Sequence, residues 1–324
     1  MPACVILAAG KGARMNSDRP KVLSEVLFYP MLGWVFDTVI SCNIQNICIV
    51  VGHKHEMVLR FLNREGYICN IAMQHALNGT AHAVTSASSF WKNYIDDDIL
   101  ILNGDSPFIS PNAIMDAYKA HKSGNLATVI SSNIKNPSGY GRIIRDVNNS
   151  VIGIIEEKEA TFEQKNITEI NSGTYWFKCE ILEKFLSQIK KNSGEFYLTS
   201  LIGDLIKNNL KVGIYKTNDS NSVLGANNPE QLEILNQIAK NKIIETFKSK
   251  GVYIPDENNV TIGKNVEIGE GTTILSDVTI LGKVKIGRDC VIGPGTNIFS
   301  GDFPDNTSLI FCNTNLYDQE RFAV

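Results

Sequence analysis

Short apolar runs punctuate the first 225 residues, at 3–7, 47–51, 99–102, 127–131, 151–155, 173–177 and 212–215. Each is brief and bounded by polar or turn-forming residues, which predicts buried strands. Helical spacing fills several of the gaps, at 31–41, 57–65, 81–91, 112–122 and 199–208. Strands alternating with helices predict a mostly parallel α/β sheet with helices on both faces. In such sheets the ligand sits at the carboxyl ends of the strands. A longer helix is expected over 229–249, opened by Pro229 and stopped by Gly251.

The pattern then changes. Ile262, Ile268, Ile274, Ile280, Ile286, Ile292 and Ile298 recur every six residues, each preceded two positions earlier by Val260, Val266, Thr272, Val278, Val284, Cys290 or Thr296. A strict six-residue period predicts a left-handed parallel β-helix, with three repeats closing each coil. Seven repeats give a little over two coils, and so short a solenoid is expected to stack or oligomerise. The chain therefore divides into an α/β domain over 1–227, a linker helix over 228–250, the β-helix over 251–302, and a terminal cap or tail over 303–324.

Composition narrows the function. Of 324 residues, 43% are apolar, ample for two cores, and the net charge of -3 offers no basic field for nucleic acid or a membrane surface. No apolar run nears the roughly 18 residues that span a bilayer. No membrane insertion and no signal peptide are read, and a cytoplasmic protein is expected. Its seven cysteines are scattered without a CxxC, as expected of free thiols.

The run after the first strand carries the chemistry: Leu7-Ala8-Ala9-Gly10-Lys11-Gly12-Ala13-Arg14-Met15, then Pro20-Lys21. Small residues let backbone N–H groups approach an anion, and Lys11, Arg14 and Lys21 add positive charge. A strand end, open amides and several bases read as a polyphosphate cradle. Asp105 follows the run at 99–102, so it is expected at a strand's carboxyl end, in the same cleft. His53 and His55 follow the run at 47–51 with no acidic or cysteine partner, and are read as exposed loop histidines.

The same segment, with Gln74-His75-Ala76-Leu77-Asn78-Gly79-Thr80, Asn103-Gly104-Asp105, Gly139-Tyr140-Gly141-Arg142, Glu156-Glu157-Lys158, Glu169-Ile170-Asn171 and Gly225-Ala226-Asn227-Asn228, resembles the sugar-phosphate nucleotidyltransferases. Within them it is most similar to the uridylyltransferase half of bacterial bifunctional N-acetylglucosamine-1-phosphate uridylyltransferases. The likeness covers roughly residues 1–300 and implies a Rossmann-like nucleotidyltransferase domain over 1–227, ahead of the β-helix. It implies transfer of a uridylyl group from UTP to N-acetylglucosamine-1-phosphate, giving UDP-N-acetylglucosamine and pyrophosphate. Arg14 and Lys21 would be catalytic. Leu7, Ala8, Ala9, Gly10, Gln74, Gly79 and Thr80 would bind the nucleotide, and Gly104, Asp105, Gly141, Glu156, Asn171 and Asn227 the sugar. Asp105 and Asn227 would hold Mg²⁺. A cytoplasmic homo-oligomer is implied, a trimer through the β-helix being one form.

Two departures stand out. Asn103 replaces the tyrosine found before Gly-Asp in many relatives, which leaves open another sugar-1-phosphate or another NTP. The repeats also stop early, and all five histidines lie at or before residue 121. The family's long acetyltransferase β-helix and its histidine base are thus lacking, and no acetyltransferase activity is expected. A non-catalytic nucleotide-sugar-binding subunit and a piece of a longer bifunctional chain are the remaining alternatives.

Overall fold

The computed structural model describes residues 2–12, 15 and 18–314. The chain forms two compact units. One takes in residues up to Ser24 and Pro30–Gln231; the other takes in Glu25–Tyr29 and the chain from Leu232.

The first elements are β1 (Ala3–Ala8), the short pair β2 (Glu25–Val26) and β3 (Tyr29–Pro30), α1 (Met31–Ser41), β4 (Asn46–Val51), α2 (His55–Glu65) and β5 (Asn70–Met73). There follow α3 (Thr80–Ser86), α4 (Ser88–Trp91), β6 (Asp98–Asn103), α5 (Pro111–Lys122), β7 (Ala127–Asn133), β8 (Arg142–Arg145) and β9 (Val151–Ile155). Then come α6 (Phe162–Lys165), β10 (Glu169–Lys178), α7 (Cys179–Phe185), α8 (Leu198–Lys207), β11 (Val212–Lys216) and α9 (Pro229–Ser249).

The main sheet runs β11-β7-β10-β6-β1-β4-β5, with β8 and β9 hung from β10. Its central strands β1, β4 and β6 read as continuous apolar runs because both faces are covered, and nearly every residue in them is buried. β1 pairs in parallel with β4 on one side and with β6 on the other. The order reverses between β1 and β6, which makes their carboxyl ends the topological switch point. β10 is antiparallel to both its neighbours, with a break in register between Asn171 and Tyr175. Gly66, at φ +73°, ends α2, and the Ser110 hydroxyl caps α5 by accepting from the Ala113 N–H at 3.1 Å.

The opposite end of β6 is closed by charge. Asp98 is 2% exposed, and Lys178 Nζ (2.7 Å), Lys122 Nζ (2.9 Å) and His121 Nε2 (3.3 Å) surround it. His121 is itself fully buried, with Nδ1 3.1 Å from Thr128 Oγ1. Burial works to raise the Asp98 carboxyl, but His121, Lys178 and Lys122 outweigh it and hold it well below the usual aspartate range.

In the second unit, β12 (Val260–Ile262), β13 (Val266–Ile268), β14 (Thr273–Ile274), β15 (Val278–Ile280), β16 (Val284–Ile286), β17 (Val291–Ile292), β18 (Asn297–Ile298), β19 (Gly301–Phe303), β20 (Ser308–Leu309) and β21 (Asn313–Thr314) stack as three parallel ladders. The six-residue repeat places every isoleucine inward: Ile262, Ile274, Ile280, Ile286, Ile292 and Ile298 are at most 2% exposed. The last coil departs from the expected tail at 303. Its ladder pairs Ile286 with Phe303, Ile292 with Leu309 and Ile298 with Thr314. Lower coils pair residues 18 apart, such as Val260 with Val278, whereas these pairs are 17 and 16 apart. Shortened corners break the strict period while the inward positions persist, so the coil continues where the repeat ceases to be readable. Residues 315–324 lie outside the described residues.

Candidate active site

Lys21 is seated by its neighbours. Pro20 leads into a single 3₁₀ turn, Lys21–Leu23, whose Val22 and Leu23 are buried. Gly12, at φ +64°, leaves room for the lysine stem: a Cβ there would stand 2.6 Å from Lys21 Cβ. The ammonium donates to Asn227 Oδ1 at 2.7 Å and pairs with the Asp105 carboxylate. Asn228, not Asn227, caps α9 by accepting from the Gln231 N–H at 2.8 Å. That leaves the Asn227 amide to meet Lys21.

Asp105 follows β6 where the ladder carries on for one more bond, Gly104 N–H to Leu7 O at 2.9 Å. Gly104 is tightly enclosed, since a Cβ there would lie 3.2 Å from Leu7 O, Leu32 and Val22. Asp105 and Asn227 thus reach the switch point from two separate segments. Two adjoining cavities open there, of about 180 and 440 Å³, with Leu7, Thr80, Asn103, Asp105 and Asn227 as their shared wall.

The smaller cavity holds Gly141, Glu156 and Asn171. The Thr199 hydroxyl donates to Glu156 Oε1 at 2.6 Å. Burial pushes the Glu156 carboxyl up, and Glu159 and Glu195 push the same way against the Thr199 hydroxyl. Glu157 is used elsewhere, accepting from Arg142 at 2.7 Å and from the Gly139 N–H at 3.1 Å. The Asn171 amide donates to Tyr175 Oη at 2.6 Å and accepts from the Gly173 N–H at 3.1 Å. Gly173, at φ +75°, faces the Asn103 amide so closely that a side chain there would run into it.

The larger cavity holds Gly10, Lys11, Lys21, Gln74 and Gly79. Gly79 sits at φ +102° against Phe196, whose carbonyl oxygen a Cβ would meet at 2.5 Å. Phe196 N–H donates to Asn78 O (2.7 Å) and Phe196 O accepts from Ala81 N–H (2.9 Å). Thr80 Oγ1 accepts from the Leu198 N–H at 2.9 Å.

The structure therefore brings Leu7, Gly10, Lys21, Gln74, Gly79, Thr80, Asp105, Gly141, Glu156, Asn171 and Asn227 to one cleft. Ala9 lines the larger cavity as well, its carbonyl accepting from the His53 N–H at 3.2 Å. Ala8 and Gly104 line neither cavity; both are packed beneath the surface, Ala8 paired with Val51. Arg14 lies outside the described residues. His53 and His55 are half-buried rather than exposed, and His55 opens α2.

Sequence reasoning passed over Thr199, Tyr175 and the pairing of Tyr140 with Gly225. Tyr140 Oη accepts from the Gly225 N–H at 3.0 Å, and burial raises its phenol to about 12. Tyr140 and Gly225 both lie in segments that carry the family likeness, so the sequence holds the signal. In the sequence Thr199 shows only the start of a helical spacing.

The fold is that of nucleotidyltransferases. A solved structure of UDP-glucose pyrophosphorylase complexed with UDP-glucose matches with a TM-score of 0.63 and 16% identity, over 75% of this chain and 99% of that one. Nucleotidyl transferase matches residues 3–220, and the bacterial transferase hexapeptide (six repeats) matches 265–300. The chain belongs to the nucleotidyl transferase family. It is 39% identical to the bifunctional protein GlmU of Thermoanaerobacter pseudethanolicus, over 95% of this chain and 66% of that protein. It is 36% identical to that of Carboxydothermus hydrogenoformans, over 95% and 68%. The chain thus spans about two thirds of the length of these relatives.

Proposed function

We propose that this chain transfers a uridylyl group from UTP to N-acetylglucosamine-1-phosphate, releasing pyrophosphate. The observation that carries the reading is the meeting of Lys21, Asp105 and Asn227 at the wall shared by two cavities. One cavity suits a nucleotide and the other a sugar, and the reacting phosphates would lie between them. A sugar phosphate is already an anionic nucleophile, so the protein's task is to align two anions and neutralise developing charge.

Lys21 supplies that charge from its seat on Gly12, toward the α-phosphate or the incoming phosphate; Arg14 is assigned to the leaving pyrophosphate. Asp105 and Asn227 already direct two oxygens at one cation, the Lys21 ammonium, and this hard donor pair fits Mg²⁺ completed by phosphate and water oxygens. A bound divalent ion would supply further charge neutralisation at the phosphates. Gln74, Gly79 and Thr80 would face the base, with Leu7, Ala9 and Gly10 beside the phosphates. Glu156, Asn171 and Gly141 would face the sugar; the first accepts from hydroxyls and the second retains an amide hydrogen to donate.

A panel of sugar-1-phosphates and NTPs, read by pyrophosphate release, tests this. The expected optimum is UTP with N-acetylglucosamine-1-phosphate, and a different preferred base would sink the uracil assignment. Asn103 favours a second reading in which another sugar is preferred, because it forms wall to both cavities. The repeats support a homo-oligomer, a trimer being one form, and light scattering from a stable monomer would remove it. Among the described residues no helix is long and apolar enough to cross a membrane, in keeping with a proposed cytoplasmic site.

A further inference from the structure

Gln74 is 5% exposed and follows β5, its N–H donating to Val51 O at 2.8 Å. Its side-chain Nε2 lies 3.1 Å from the Gly79 carbonyl oxygen and 3.0 Å from His82 Nδ1. A carbonyl oxygen only accepts, so the atom facing Gly79 must be the amide nitrogen, and this settles which way the amide points. The second amide hydrogen then meets His82 Nδ1, which must present its lone pair, so the ring proton resides on Nε2. With both hydrogens engaged, the amide has its oxygen left to offer, and Gln74 lines the larger cavity beside Gly79 and Thr80. Reversing the amide would set that oxygen against the Gly79 carbonyl oxygen, two acceptors facing each other.

We propose that His82 is a positioning residue that locks Gln74 as a hydrogen-bond acceptor toward the cavity, and so selects a nucleobase with a ring N–H donor. Uracil and thymine carry such a donor at N3; cytosine carries an acceptor there and is rejected. This rests on the reading of the larger cavity as the nucleotide seat. His82 would not touch the base. It acts through Gln74 from within α3, whose start is pinned by the Ala81 N–H to Phe196 O bond.

The test compares kcat/KM for UTP and CTP at saturating sugar-1-phosphate in the unmutated protein, His82→Leu, His82→Asn and Gln74→Leu. The asparagine variant keeps an acceptor oxygen near the place of Nδ1. His82→Leu is expected to lower the UTP-over-CTP ratio about tenfold, the worth of one hydrogen bond. The loss should fall on the KM for UTP, leave the KM for the sugar phosphate unmoved, and be largely restored in His82→Asn. A ratio unchanged in His82→Leu but collapsed in Gln74→Leu overturns the role of His82 and leaves the base seat standing. A ratio unchanged in Gln74→Leu, or no UTP preference in the unmutated protein, overturns the base seat and this inference with it. Should His82→Leu fail to fold, nitrogen–proton correlation spectra of the unmutated protein in mildly alkaline buffer decide. A proton on His82 Nδ1 would refute the proposal; an unprotonated Nδ1 is expected.

Discussion

β6 ends in an aspartate problem solved two ways. Asp98 opens the strand and Asp105 follows its close, and each meets a lysine. At Asp98 the carboxylate is 2% exposed and lies among two ammonium groups and an imidazole. At Asp105 the side chain is 22% exposed, and the lysine that meets it is shared with the Asn227 amide oxygen. One cluster has cations to spare and faces the protein. The other has oxygen lone pairs to spare and faces a cavity. The same residue type on one strand is thus a fastening at the amino end and a ligand-ready group at the carboxyl end, where helix starts and loops converge.

Substitutions should separate the two sharply. Asp105→Ala is expected to lower kcat by about 10³-fold while thermal melting scarcely moves; a folded variant with full turnover would erase the distinction. Asp98→Asn should do the reverse, costing about 3 kcal/mol in urea unfolding by leaving buried His121 without its carboxylate, with kcat unchanged. Because the Asp98 carboxyl is held low in the folded state, its contribution is complete above the ordinary aspartate range and is lost as pH falls through the folded value. Acid titrations of stability should therefore be steeper for the unmutated protein than for Asp98→Asn.

Smaller effects refine the cavity end. Gly12→Ala would crowd Lys21 from a left-handed position, and steady-state assays should show about a tenfold lower kcat, with little loss of fold. Glu156 protonates at higher pH than an exposed glutamate, so the KM for the sugar phosphate should rise as pH drops through that raised value, by about threefold. Glu156→Gln should flatten this dependence; an unchanged pH profile would place Glu156 outside the sugar seat.

Periodicity exposed most of the fold. The apolar runs of β1, β4 and β6 stand out because they are buried on both faces, and the isoleucine ladder because each coil repeats it. β5 escaped notice: Asn70 and Ile71 are exposed on a sheet edge, so no apolar run marks it. β10 began earlier than its apolar half suggested, since Glu169 and Asn171 precede the register break. In the cleft, Lys21, Asp105 and Asn227 stand out in the sequence by residue type and motif, and the structure brings these three together. Those whose work is to hold another side chain, Thr199 on Glu156, Tyr175 on Asn171 and Gly12 beneath Lys21, became visible only when distant segments met.

Phe196 couples the walls of the two cavities through its backbone. Its backbone ties the Asn78–Ala81 turn, and Thr80 receives the amide of Leu198, which leads directly into Thr199 and Glu156. One short segment therefore borders both cavities. If each cavity takes one substrate, as proposed, a molecule that tightens this segment on arrival would favour the second, and the two dissociation constants should be linked, each ligand tightening the other by the same factor. Calorimetry of UTP binding with and without sugar phosphate would measure that linkage directly.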